Sequence, residues 1–251
     1  MTFPSNRPPS TPSTRAGARP VASAAGSAHA STIGSRLVSA AIATATAVVI
    51  FGSALAFVFN PAFVGFEQER THADYYTGWP IAEVHRITDA VVGQVLVGPG
   101  TFDMTTNGAR VFDPAEAQHM IDVRRVMIWL EIGVAGAVAL LVVAAFRMRD
   151  RRRLWSAVAT GAKVLAIGIV VVGIGFAVAF DQAFELFHQL LFPAGSYAFD
   201  PTIEHLVQLF PEQLFSEATI VMALVGLGIS IIVNRYAGRR TRALAAPNPA
   251  A

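Results

Sequence analysis

Apolar residues gather into four long stretches, Leu37–Phe59, Val126–Phe146, Ser156–Phe180 and Ala218–Val233, and between them polar, aromatic and aliphatic positions are mixed. Each stretch supplies much or all of the ~20 apolar residues that a helix needs to cross a bilayer. The pattern predicts an α-helical integral membrane protein with four transmembrane helices. The first stretch contains Ala54-Leu55-Ala56, a triplet of the kind signal peptidase cleaves. Its apolar run exceeds the roughly 7–15 residues of a signal h-region, so it reads as an uncleaved span.

Composition agrees: 53% of the 251 residues are apolar and 14% are charged, against roughly 25% charged in a soluble domain. The chain has no cysteine, which excludes disulfides, thiolate nucleophiles, iron–sulfur clusters and thiolate zinc sites. The net charge of +2 conceals a strong asymmetry. Residues 1–36 carry Arg7, Arg15, Arg19 and Arg36, five prolines in the first twenty positions and no acid, and are expected to form a disordered basic tail. Arg147, Arg149, Arg151, Arg152 and Arg153 crowd the connection between the second and third stretches, and Arg235, Arg239, Arg240 and Arg242 follow the fourth. Basic residues beside spans stay in the cytoplasm, so both termini, including a basic tail over 237–251, are expected there. The segments 60–125, with nine acids against five arginines, and 181–217, with six acids and no Lys or Arg, are expected to be extracytoplasmic. The membrane domain is then 37–236.

The larger outer segment mixes Phe63, Phe66, Tyr75, Tyr76 and Trp79 with a β-leaning stretch near Val91–Val97 and a Gly98-Pro99-Gly100 turn, and reads as a small ordered α/β subdomain between the first and second spans. No internal repeat, P-loop, Rossmann glycine pattern, HExxH or GxSxG is present.

Two histidines draw attention. Asp113-Pro114-Ala115-Glu116 is a helix start, with Asp as N-cap, Pro at the first helical position and Glu closing a capping box. No breaker follows until the second span is crossed, which places His119 roughly 10 Å before Val126, at headgroup level. Asp122, three residues on, shares its face and is a candidate to orient the ring or raise its pKa. The third span is likewise expected to run on past Phe180 through DQAFELFHQLLF until Pro193 and Gly195, which puts His188 roughly 12 Å beyond the apolar limit. Phe184 and Leu191 flank His188 on its face, and Glu185 lies nearby. Asp200-Pro201 reads as a second cap-like start, and Phe210-Pro211-Glu212 opens the fourth helix. A lone interfacial histidine is ordinarily an amphipathic boundary residue; two at one depth with neighbouring carboxylates form a candidate site. Glu116 reads first as a cap. Glu131 is a candidate because an ionisable group inside a span is costly, although it lies 120° around the helix from His119.

EAQHMIDVRRV (Glu116–Val126), followed by FELFHQLLFPAGSYAFDPTIEHLVQLFPEQLF (Phe184–Phe215), resembles a bacterial four-span membrane family that includes lipoprotein intramolecular transacylase. The resemblance covers roughly residues 37–236. It implies transfer of the sn-2 acyl chain of a lipoprotein's diacylglyceryl group to the α-amine of its own N-terminal cysteine, with His119 and His188 at the positions of the two motif histidines. Tyr197 stands where a tryptophan is usual, and the basic tail is an addition.

That chemistry suits these residues. The attacking amine belongs to the substrate, so no Ser or Cys nucleophile is needed and one base suffices. His119 is the expected base and His188 the orienter or oxyanion partner, with the reverse left open; Asp122, Glu116, Glu185, Tyr197 and Glu131 are supporting candidates. The implied partners are a diacylglyceryl-modified lipoprotein and membrane lipids, with no nucleic acid, no cofactor and no metal, and the oligomeric state is left open. Two alternatives compete: an outer-face hydrolase using His119, His188 and carboxylates as zinc ligands, and a non-catalytic membrane module whose outer subdomain binds a partner.

Overall fold

The structure is a computed structural model that describes residues 22–246. The reading of residues 1–21 as tail lies outside the described residues. The first helix, α1, spans Ala22–Val58, so the remainder of the expected disordered tail is helical instead. Ala22, Ala24, Ala25, Ala28 and Ala30 supply the highest helix propensity of any residue, beyond the last of the early prolines at Pro20. The chain divides into two units, Met1–Val38 and Ser39–Ala251.

Four helices are long and apolar enough to cross a membrane: α1 from Gly34, α5 (Pro114–Arg147), α6 (Arg151–Val178) and α9 (Glu212–Ala243). On α1, Ile42, Ala45, Ile50, Ala54 and Val58 are buried at steps of three to five residues, the stripe of a helix that packs along one side. It meets each of the other spans at a small residue. A Cβ on Gly52 would strike Val134 of α5, one on Gly161 of α6 would fall on the Ala43 carbonyl, and one on Gly226 of α9 would press on Ile169 and Ala54. Small residues let helix backbones approach where lipid supplies no hydrophobic drive to association. The α6–α9 pair is held by Asn234 Nδ2 donating to the Ala159 carbonyl at 2.8 Å and by an edge-to-face contact of Trp155 with Tyr236.

A head subdomain caps one end of the spans. It contains α2 (Pro61–Arg70), α3 (Ala73–Thr77), α4 (Ile81–Leu96), a two-stranded antiparallel hairpin of β1 (Thr105–Thr106) and β2 (Ala109–Arg110), and α8 (His205–Leu209). Val84, Ile87, Val91 and Val95 of α4 are each 2% exposed or less and share a core with Phe102, Val111, Phe112, Met120 and Leu209. The β-leaning reading of Val91–Val97 is thus corrected: these valines continue a helical stripe that begins at Val84. The strand content lies later, where Asn107 and Gly108 both adopt positive φ and form the two-residue turn of a hairpin.

The helix start at Asp113 is as expected. Its side chain accepts from Ala115 N and Glu116 N, and the Glu116 carboxylate accepts from Asp113 N. With 34 residues, α5 is roughly 51 Å long, well beyond the ~30 Å of a hydrocarbon core. Its first twelve residues, 114–125, project past the apolar run into the head. Arg124 fixes that projection by donating to the Val95 and Gln94 carbonyls at the end of α4. The third span, by contrast, does not run unbroken to Pro193. It ends at Val178, Ala179 leaves helical geometry (φ −143°, ψ 57°), and a separate amphipathic helix, α7 (Phe180–Leu191), follows. Gly173 and Gly175 weaken the helix just before the break. Asp200 also departs from expectation: it accepts from Thr202 N in a turn and caps no helix, while α9 opens at Glu212 behind Pro211.

Candidate active site

The first turns of α5, helix α7 and the connection 192–204 meet where the head joins the spans. There the rings of His119 and His188 lie 6.1 Å apart between centroids and 22° from parallel. Their exposures are 6% and 9%. Phe192 touches both, at 4.8 Å from His119 and 5.5 Å from His188. Phe199 closes on His119, while Phe184, Phe187 and Tyr197 stand 4.2, 5.3 and 5.1 Å from His188. The two sequence motifs therefore converge, inside an aromatic enclosure.

The tautomer of His188 is fixed locally. Its Nδ1 lies 2.8 Å from the carbonyl of Phe184, one turn earlier on α7. A carbonyl only accepts, so Nδ1 carries the proton and Nε2 of the neutral ring presents a lone pair. His119 is held differently: its Nδ1 is buried and has no hydrogen-bond partner. Burial lowers the His119 pKa to about 4, and the neighbouring His188 pushes the same way, against the opposing influence of Asp122 and the Ser196 backbone. His119 is thus a neutral ring at neutral pH.

The supporting residues separate. Asp122 is buried, but its carboxylate accepts from Arg125 Nη1 at 2.6 Å and makes no hydrogen bond to His119. It acts on the imidazole through charge alone, because its i+3 neighbour claims the oxygen. Glu116, 2% exposed, does more than cap: its Oε1 accepts from Leu206 N at 2.6 Å, ninety residues along the chain. Burial pushes its carboxyl up, and the N–H groups of Leu206 and Asp113 hold it down. Glu116 thereby ties the start of α5 to α8 and to the connection that carries Phe192, Tyr197 and Phe199. Glu185 reaches the site at one remove, accepting from the Tyr197 hydroxyl at 3.1 Å and from Gln189. Glu131 is exposed on α5 and lies outside the site. Leu191 is 42% exposed, and Phe192 stands against the imidazole where Leu191 was expected. Among the described residues, no three His, Asp or Glu side chains converge as metal donors.

Over residues 39–215 the sequence matches the family of lipoprotein intramolecular transacylase Lit. The chain belongs to that family. It is also 27% identical over 128 residues to an uncharacterized protein of Aquifex aeolicus, a match covering 51% of this chain and 56% of that protein, so the chain spans little more than half the length of that curated relative. The fold is that of the membrane-integral transacylase Lit from Bacillus cereus, with a TM-score of 0.66 at 23% identity over 83% of this chain and 97% of the other. A second structure of the Bacillus cereus protein, carrying a histidine-to-arginine substitution, gives 0.64 at 22% identity over 87% and 98%. This member of the family is a multi-pass membrane protein.

Proposed function

We propose that this chain is a membrane acyltransferase that moves the sn-2 acyl chain of a diacylglyceryl-modified lipoprotein onto the α-amine of the lipoprotein's own N-terminal cysteine, leaving a lyso-form product. The observation that carries this reading is a pair of buried imidazoles 6.1 Å apart at the head–span junction of a chain of this family. An amine and an ester held on one molecule need orientation and one proton acceptor, and confinement supplies the high effective molarity.

The tautomers divide the work. The only N–H of neutral His188 is committed to Phe184, so its Nε2 is the base. His119 stays neutral, so it keeps one N–H that can be offered to developing negative charge. This reverses the assignment expected from the sequence. The amine nitrogen attacks the sn-2 carbonyl carbon, and its proton passes to His188 Nε2. The carbonyl oxygen becomes an oxyanion facing His119. Collapse forms the amide, breaks the bond to the glyceryl oxygen and returns the proton from His188 to that oxygen. No water is consumed, and the phenylalanine walls exclude the water that would hydrolyse the ester instead.

The arginine bias supports an orientation with both termini cytoplasmic and the head, with its site, extracytoplasmic. Phospholipids surround the spans, and the lipoprotein substrate enters from the same bilayer. The test is mass spectrometry of N-terminal lipopeptides from cells that express the chain. Lyso-form peptides should be present with the wild type and absent with His119→Ala or His188→Ala; unchanged spectra in the variants would overturn the proposal.

A further inference from the structure

At the end of the spans farthest from the histidines, α1, α6 and α9 part around a cavity of about 500 Å³ whose polar lining includes Ser39, Asp150, Arg152, Arg153, Thr160 and Thr241. Helix packing explains the space. At Gly161 the α6 backbone lies against the Ala43 carbonyl, and one turn farther out the small side chains of Ser39, Ala40, Ser156 and Ala157 line the gap without filling it.

The donors in the lining point to one kind of ligand. Thr160 and Thr241 give their hydroxyl protons to the Ser156 and Ala237 carbonyls of their own helices. Asp150 accepts from Arg153 N as the cap of α6. Arg153 Nε donates to Ser39 Oγ at 2.9 Å, which orients the guanidinium, yet its Nη2 is buried and has no acceptor. Nη2 itself is closed off from the cavity, but the guanidinium as a whole lines it, and the planar fork of an arginine matches phosphate oxygens. Arg152 adds a second positive charge against the single carboxylate of Asp150. The charged part of the cavity, Asp150, Arg152 and Arg153, lies just beyond the inner limit of the apolar runs, while Ser39, Ala40, Ser156 and Thr160 lie within them, so the cavity straddles the level at which phosphodiester groups meet acyl chains.

We infer that this cavity binds the phosphate of a phospholipid headgroup, with Arg153 and Arg152 as its donors and the acyl chains lying along the spans. The site is remote from the histidines and independent of the acyl transfer proposed for them.

The test is native mass spectrometry of the full chain in detergent micelles, titrated separately with phosphatidylglycerol, inorganic phosphate and diacylglycerol. Phosphatidylglycerol should bind as a discrete adduct, with affinity at least tenfold weaker in Arg153→Gln. Arg149→Gln, which removes a charge outside the cavity, should bind as the wild type does. Ala40→Met, at an exposed position on the cavity wall, should block binding without removing any charge, and it carries the test if Arg153→Gln does not fold. Equal phosphatidylglycerol affinity in the wild type, Arg153→Gln and Ala40→Met would overturn the site. Diacylglycerol binding as tightly as phosphatidylglycerol would overturn the role of phosphate. Displacement of the lipid by micromolar inorganic phosphate would identify a free ion as the ligand and overturn the lipid assignment.

Discussion

The carbonyl of Phe184 accepts a hydrogen bond from His188 Nδ1 at 2.8 Å, and this one contact leaves Nε2 as the nitrogen of His188 that the helix does not engage. Removing a positioned general base typically costs 10²- to 10⁴-fold in rate. His188→Ala and His188→Gln should both fall by about that much, since an amide cannot accept the amine proton usefully. His119→Ala should lose on the order of 10²-fold for a missing oxyanion donor. His119→Asn, which returns an N–H donor, should recover part of that loss. Single-turnover assays on a synthetic diacylated lipopeptide measure these rates. A His188→Gln variant faster than His119→Asn would reverse the two roles.

Glu116 makes the buried bond that closes the site. Its carboxylate accepts from Leu206 N at 2.6 Å and from Asp113 N at 2.7 Å. Truncation to Ala leaves two N–H groups without their acceptor, a loss of about 2–4 kcal/mol by the usual worth of charged hydrogen bonds. Glu116→Gln keeps an oxygen for one of the two and should lose about half as much. Thermal unfolding in detergent orders the variants. Hydrogen exchange should also show faster labelling across residues 195–206 in Glu116→Ala, because the connection is then freed from α5.

The second span and its start were legible because their signals are local: Asp113, Pro114 and Glu116 form a capping box whatever surrounds them. The pairing of His119 with His188 was legible only as two histidines at similar depth. The walls were not. Phe192 reaches His119 just before the chain turns at Pro193–Ser196 and Phe199 just after it, and nothing in their spacing announces it. Val91–Val97 misled because β-branched composition was weighed over too short a window, whereas the series Val84, Ile87, Val91, Val95 carries helical spacing. The hairpin signal Asn107-Gly108 stood in plain view eight residues past Pro99. The break at Ala179 follows no proline, only the glycines Gly173 and Gly175.

His119 also makes stability depend on pH. Its folded pKa, about 4, lies below the ordinary 6.5. Between those values the unfolded chain binds a proton at this ring and the folded chain does not. The contribution is therefore fully present above pH 6.5 and is lost as pH falls towards 4. The full span is on the order of 3 kcal/mol. His119→Phe, which keeps an aromatic ring in the enclosure, should flatten the decline in thermal midpoint between pH 6.5 and 4.5. An identical decline in the variant would show that His119 does not titrate in this window.

Arg70, Glu67 and Glu217 join α2 of the head to the first turns of α9. Arg70 Nη2 meets Glu217 at 2.8 Å, and Arg70 Nε lies 3.5 Å from Glu67, whose Oε2 is buried without a hydrogen-bond partner. Burial and the neighbouring Glu217 carboxylate push Glu67 up, while hydrogen bonds from Gln213 and Arg70 hold Glu217 at about 2. A carboxyl with a raised folded pKa is least costly when protonated, so its ionisation at neutral pH works against the fold. Glu67→Gln removes that cost and offers an amide donor to Glu217. It should raise the thermal midpoint at pH 8, and the gain should be smaller at pH 5, because acid favours protonation of a carboxyl whose pKa is raised. Arg70→Ala should lower the midpoint at both values by leaving the two acids facing each other. If Glu67→Gln is less stable than the wild type at pH 8, Glu67 is held by an attraction to Arg70 that outweighs its burial.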